Sequence, residues 1–172
     1  AEEAKTASVE RARRLVVILE DSLQKTEQIR PKWLKNSRVR TAFGKAFGEL
    51  DHFAEAVAHY EAAKDSEKSD YPVKAIEQWA NLTCRHALEK ATRSPGVGIP
   101  SAKLKDVVTS VEKAIDVLKK LRDLSPTSER LCLLGSAHKR AAIIFQGTRR
   151  KNAIKMTAKH YKEAMNISDE KD

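Results

Sequence analysis

The chain has 172 residues, 33 Lys and Arg against 24 Asp and Glu, a formal charge of +9 and an aromatic content of only 5%. That length suits one domain with a continuous core, and so few aromatics mean a core of Ala, Leu, Ile and Val, which favours closely packed helices. The longest aliphatic run, Leu15 to Leu19, is far too short to cross a bilayer. The opening AEEAK is not a basic-then-apolar leader, and neither Cys84 nor Cys132 has a neighbouring Cys or His ligand pair, so no disulfide framework or zinc site is indicated. A cytoplasmic protein, cut from a longer intracellular chain, is the expectation.

Residues 8–29 place Ala12, Val16, Leu19 and Leu23 on one helical face, with Pro31 ending the helix. Residues 37–49 and 53–64 predict a pair of short helices separated by Leu50-Asp51-His52. Gly44 and Gly48 fall inside the first of the pair, where glycine costs about 1 kcal/mol relative to alanine, so each needs a reason. The next helix is predicted from about Asp70, with Pro72 in its first turn, to Thr92. SPGVGIP, residues 94–100, cannot continue a helix and reads as a loop.

Ser101 can cap a fifth helix whose apolar set is Val107, Val111, Ala114, Ile115, Leu118 and Leu121. Ser125-Pro126 stops it. A sixth helix is predicted over about 127–145, and a seventh, after GTRRKN, over about 151–167. About seven helices in succession, with no strand pattern, predict an all-α antiparallel helix-turn-helix array.

Residues 37–70 resemble a tetratricopeptide repeat, a helix-turn-helix unit of about 34 residues. With Ser37 as position 1, Phe43 is at position 7, Gly44 at 8, Phe47 at 11, Ala56 at 20, Tyr60 at 24 and Ala63 at 27. Arg40 at position 4 and Lys68 at 32 depart from the pattern. A second unit, 71–126, has Trp79 at 4, Leu82 at 7, Thr83 at 8, then Ala114, Leu118, Leu121 and Pro126 after a long insertion. A third, 127–167, has Leu131, Leu134, Gly135, Tyr161 and Ala164. The implied fold is one TPR-like domain over 1–172, an α-α superhelix with 1–36 as a packing helix and 168–172 as a tail. EQWANLTCR and ERLCLLGSAHKRAA also look like the helical-repeat regions of large bacterial multidomain proteins.

The resemblance implies that Gly44 lets its helix approach Ala56; Gly48 has no such assignment and, at the end of its helix, can cap it or face a groove. It also implies a protein-interaction module or scaffold, since stacked repeats present a concave groove to peptides or partner helices. The family's groove positions fall on Arg38, Thr41, Lys45, Gly48 and Glu49 in the first unit. In the second they are Glu77, Ala80, Cys84, Ala87 and Leu88, beside Asn81, and in the third Glu129, Cys132, Ser136, Lys139 and Arg140. The candidate binding residues are Arg38, Thr41, Lys45, Asn81, Cys84, Ser136, Lys139 and Arg140, with an acidic protein or peptide segment as partner.

Two alternatives stay open. Residues 127–167 hold nine basic residues against Glu129 and Glu163. On the last helix Lys151, Lys155, Lys159 and Lys162 share one side beside an apolar stripe of Ile154, Ala158, Tyr161 and Met165. Such a row could follow a nucleic-acid backbone, or its stems could cover a core edge. The domain could also serve as an architectural or dimerisation segment.

Catalytic arrangements are weak. Cys84 and His86, at i and i+2, point to different helix faces, and so do Cys132 and His138. Glu55 and His59 share a face without a third ligand, and the GVG at 96–98 lacks the lysine and strand context of a nucleotide loop. No enzyme activity, metal or cofactor is expected, and no membrane association.

Overall fold

The structure, a computed structural model, describes residues 2–66, 71–92 and 101–169; the expected 94–100 loop lies outside them. Seven α-helices follow in order: α1 (Glu2–Ile29), α2 (Ser37–Glu49), α3 (Phe53–Lys64), α4 (Val73–Thr92), α5 (Ser101–Leu124), α6 (Ser128–Ile144) and α7 (Gly147–Asp169). There is no strand among the described residues, so the expected all-α helical array is what the chain forms. None of these helices is long and apolar enough to cross a membrane. The chain divides into two compact units, residues 1–75 and 76–172.

In the first unit, α1 ends before a 3-10 turn, Pro31–Lys35, which the sequence pattern did not indicate. Pro31 begins the turn, and Leu34 within it is buried. Asn36 then caps α2 by accepting from the backbone N–H groups of Arg38 at 2.8 Å and Val39 at 3.4 Å, which satisfies two of the unpaired donors at a helix start.

The end of α2 corrects the reading of Gly48. The left-handed residue is Asp51, at φ 61°. The His52 N–H donates to the Phe47 carbonyl at 3.0 Å and the Asp51 N–H to that of Gly48 at 3.4 Å, the paired bonds of a Schellman closure. The His52 and Phe47 rings, 6.3 Å apart, supply its side-chain contact. Gly48 lies inside the last turn and offers only its carbonyl, and Asp51 takes the strained conformation because a short polar side chain tolerates it.

Between α2 and α3, Phe47, Ala56, Tyr60 and Ala63 are buried. A Cβ on Gly44 would lie 3.0 Å from the Tyr60 ring and 3.2 Å from the Ala56 carbonyl oxygen, so its absence lets these helices close. Arg40, the departure from the repeat pattern, donates from Nε to the Leu34 carbonyl at 2.8 Å and lies 3.3 Å through Nη1 from His59 Nδ1. It therefore ties the 3-10 turn to α3.

In the second unit, the core is assembled from Ala80, Cys84 and Ala87 of α4, Val107, Val111, Ala114, Ile115 and Leu118 of α5, Leu134, Ala137, Ala141 and Ile144 of α6, and Ala153 of α7. Small residues dominate it, as the composition required, and each allows backbones to approach closely. Helix α4 begins at Val73, directly after Pro72 and a little later than expected. Helix α7 begins at Gly147, earlier than expected, because that glycine at φ +57° turns the chain straight from the extended Phe145 into the helix.

The inward side of α7 differs from the expected stripe. Ala153, His160 and Ala164 are buried, while Ile154 and Met165 are 53% and 66% exposed and Ala158 is exposed. Of the stripe only Tyr161 turns inward, against Gly135. Hydrophobicity misled here because the buried residues are alanine and histidine, while Ile154 and Met165 stand in solvent among the lysines.

Candidate functional site

Of the candidate residues in the first unit, Arg38 and Lys45 are exposed on α2 and Thr41 is half-buried. Lys45 pairs loosely with Glu49 at 3.8 Å, one turn on, a solvated contact of small energetic weight.

The other candidates lie on α4 and α6 of the second unit, joined by two polar ties. Glu77, projected onto the groove, is instead 4% exposed, and its Oε1 accepts from Arg130 Nε at 2.7 Å. The Arg130 Nη1 donates further to the carbonyls of Ser125 at 2.6 Å and Leu121 at 3.3 Å. One guanidinium thus fastens α4 to the start of α6, meets the Ser125 carbonyl just past the end of α5 and adds a second donor to that of Leu121, which already accepts from the Ser125 N–H.

The second tie is Arg140 Nη1 to Asn81 Oδ1 at 3.3 Å. Burial, then the neighbouring Arg85 charge, work against the protonated form of Arg140, with Cys84 and Tyr161 opposing them. Its hydrogen-bond partner is neutral, and no carboxylate among the described residues pairs with it. Arg140 is therefore a half-buried cation short of counter-charge, and an anion laid against it gains a charge-assisted hydrogen bond.

Cys84 lies behind this pair rather than on the surface: it is completely buried, and burial pushes its thiol up to about 12. It packs the wall and offers nothing to a ligand. Ser136 is half-buried, with its Oγ 2.9 Å from the Tyr161 hydroxyl, and Lys139 stands exposed one turn away. Asn81, Ser136, Lys139 and Arg140 therefore form a polar, basic patch on α4 and α6.

Along α7, Lys151, Lys155, Lys159 and Lys162 are all exposed. Lys159 approaches Glu163 at 3.7 Å, whereas Lys151, Lys155 and Lys162 have no ion pair among the described residues.

The titratable groups inside the fold are structural in character. His59 stacks between Phe43 and Phe47 with 5.4 Å between centroids on each side; burial and then Arg40 hold its pKa down to about 4, against Glu55. His138 and His160 stack at 5.4 Å between α6 and α7. Burial first, then His160 and Lys119, lower His138 to about 4. His160 is also lowered by burial, although Glu163 contacts its Nδ1 at 3.1 Å. These rings are neutral at ordinary pH, and sequence reasoning passed over the pair because its members are 22 residues apart. A cleft of about 440 Å³ between α5, α6 and α7 reaches His138 past Ile115, Phe145 and Met156, with Arg149 and Glu112 3.4 Å apart beside it. No group of three His, Cys, Asp or Glu among the described residues is placed to hold a metal ion.

A family model described as Tetratricopeptide Repeats-Sensor matches residues 52–171. The match covers α3 to α7 and takes in Asn81, Ser136, Lys139 and Arg140; α2, with Arg38, Thr41 and Lys45, lies before it. Neither a curated protein nor a solved structure gives a significant match.

Proposed function

The chain belongs to the Tetratricopeptide Repeats-Sensor family, and on that premise we propose that it is a non-catalytic protein-interaction module whose basic surfaces bind an acidic segment of a partner protein. Repeats of this kind ordinarily hold partners rather than transform substrates, and the family implies a protein partner. The observation that carries the acidic preference is Arg140, half-buried and bonded, among the described residues, to the neutral Asn81 amide. A partner carboxylate there would supply the missing counter-charge in a site of lowered dielectric, where it is worth more than on open surface.

Lys139 and Ser136 extend that contact on the second unit, with Asn81 orienting the guanidinium and Cys84 packing behind it. Arg38, Thr41 and Lys45 offer a row of their own on the first unit. Binding is rigid presentation: the stacked helices fix the donors beforehand, so little entropy is lost when a segment docks. We place the module in the cytoplasm.

Selection of displayed random peptides on the immobilised chain tests this. Enrichment of Asp- and Glu-containing segments by the wild type, lost with Arg140→Gln, is the expected result. Enrichment without acidic bias, or unchanged in Arg140→Gln, would contradict it.

A further inference from the structure

The side of α7 left in solvent carries apolar and charged residues, and the two kinds are sorted into separate strips. At 100° per residue Ile154, Ala158 and Met165 form one strip, and Lys151, Lys155 and Lys162 form the strip beside it. Helix α6 contributes a parallel row: Cys132, Lys139 and Ile143 are exposed, with half-buried Ser136 in the same line.

The two rows face outward together. The 2.9 Å Ser136–Tyr161 contact sets the antiparallel register of α6 and α7, and counting outward from it brings Ile143 level with Ile154 and Cys132 level with Met165. Ile143 is 58% exposed, Ile154 53% and Met165 66%. The apolar lane between the helices therefore runs about 17 Å, from Ile154 to Met165 at 1.5 Å per residue. Lys151, Lys155 and Lys162 line its α7 edge, and Lys139 stands within the α6 row beside Ile143.

We propose that this α6–α7 face docks an amphipathic helix of a protein partner, its apolar stripe on Ile143, Ile154 and Met165 and its carboxylates against Lys139 of α6 and Lys151, Lys155 and Lys162 of α7. The chemistry on the page selects that occupant. Periodic apolar residues at helical spacing suit a helix laid in a groove, and lysines on both helices, without ion pairs among the described residues, attract an acidic partner and repel a basic one. A nucleic-acid backbone would use the lysines but leave three large apolar side chains against phosphate. This proposal rests on the reading of the chain as an interaction module and adds a neighbouring contact surface, which shares Lys139 with the Arg140 site.

The test uses the full chain and a defined probe: a fluorescein-labelled 18-residue helical peptide with leucines on one face and glutamates on both flanks, titrated by anisotropy at physiological salt. The expected result is saturable binding that weakens at least tenfold in Ile154→Asn/Met165→Asn and in Lys155→Glu/Lys162→Glu. Lys120→Gln, at an exposed lysine of α5, should leave it unchanged, which separates this surface from general attraction to a basic protein. All four α7 positions are exposed, so a wild-type-like circular dichroism melt is expected for these variants. Equal binding of a control peptide with alanines for leucines, indifference to Ile154→Asn/Met165→Asn, or preference for a single-stranded oligonucleotide would overturn it. So would a wild-type dimer, seen by light scattering, that Ile154→Asn/Met165→Asn converts to monomer, because a second copy would then be the occupant.

Discussion

A Cβ built on Gly135 would lie 2.9 Å from Tyr161 Cε1: the glycine of α6 is the seat of the tyrosine ring of α7. The same relationship holds in the first unit, where Gly44 meets Tyr60 at 3.0 Å. Each pair stands at the equivalent repeat positions, so two units that differ in loop length share one contact. Overpacking of this kind costs about 1–3 kcal/mol, offset by roughly 1 kcal/mol of helix propensity gained from alanine. Gly135→Ala is expected to lower the urea midpoint modestly and Gly135→Val strongly, and the loss should shrink when Tyr161→Ala is added. A Gly135→Ala variant more stable than wild type would show that the ring is free to move.

Arg130 and Glu77 predict a larger effect. Their 2.7 Å contact joins side chains that are 16% and 6% exposed, so removing one leaves the other charge poorly solvated. Arg130→Met should cost about 3–5 kcal/mol, while Glu77→Gln, which keeps an acceptor, should cost less. Urea denaturation of both variants measures the order.

The cysteines should behave oppositely. Cys84 is buried with its thiol pushed up to about 12, whereas Cys132 is exposed. Because the thiolate is the reactive form, iodoacetamide at pH 8 should label Cys132 in the folded chain and reach Cys84 only after denaturation. Peptide mass mapping reads the site.

Stability should fall on mild acidification. In the folded chain His59 and His138 are held to about 4, against an ordinary value of 6.5. Between those limits the unfolded chain takes up protons that the folded one refuses, so folding free energy is highest above pH 6.5, declines toward pH 4 and gains no further loss from these groups below it. His138→Phe, which keeps a ring on His160, should flatten part of that decline in urea titrations run from pH 7.5 to 4.5.

Most of this architecture was legible in the sequence, because helix periods and Pro or Gly punctuation are local signals. The lengths of α2, α3 and α5 followed from spacing and from Pro or Ser punctuation, and the roles of Gly44 and Gly135 from the resemblance to the tetratricopeptide repeat. Long-range polar ties did not: Glu77 meets Arg130 across 53 positions, and Arg40, a misfit to the repeat pattern, proves to bridge Leu34 and His59. Helix α7 was read by hydrophobicity, yet its buried residues are Ala153, His160 and Ala164. A row of small and aromatic-polar residues can be a core when the facing helix is equally lean. Of the site, the basic residues were visible, but not that Cys132 would be exposed or that Arg140 would rest on Asn81.

The central claim is that this chain holds an acidic protein segment. Its most direct test is affinity capture from lysate of the source cell with the wild type and an Arg38→Glu, Lys45→Glu, Lys139→Glu, Arg140→Glu variant, each with and without nuclease, read by quantitative mass spectrometry. A protein that survives nuclease, is lost with the variant and carries an acidic segment is the expected result. Recovery of nuclease-sensitive material alone, or of the same proteins by both forms, would contradict the claim.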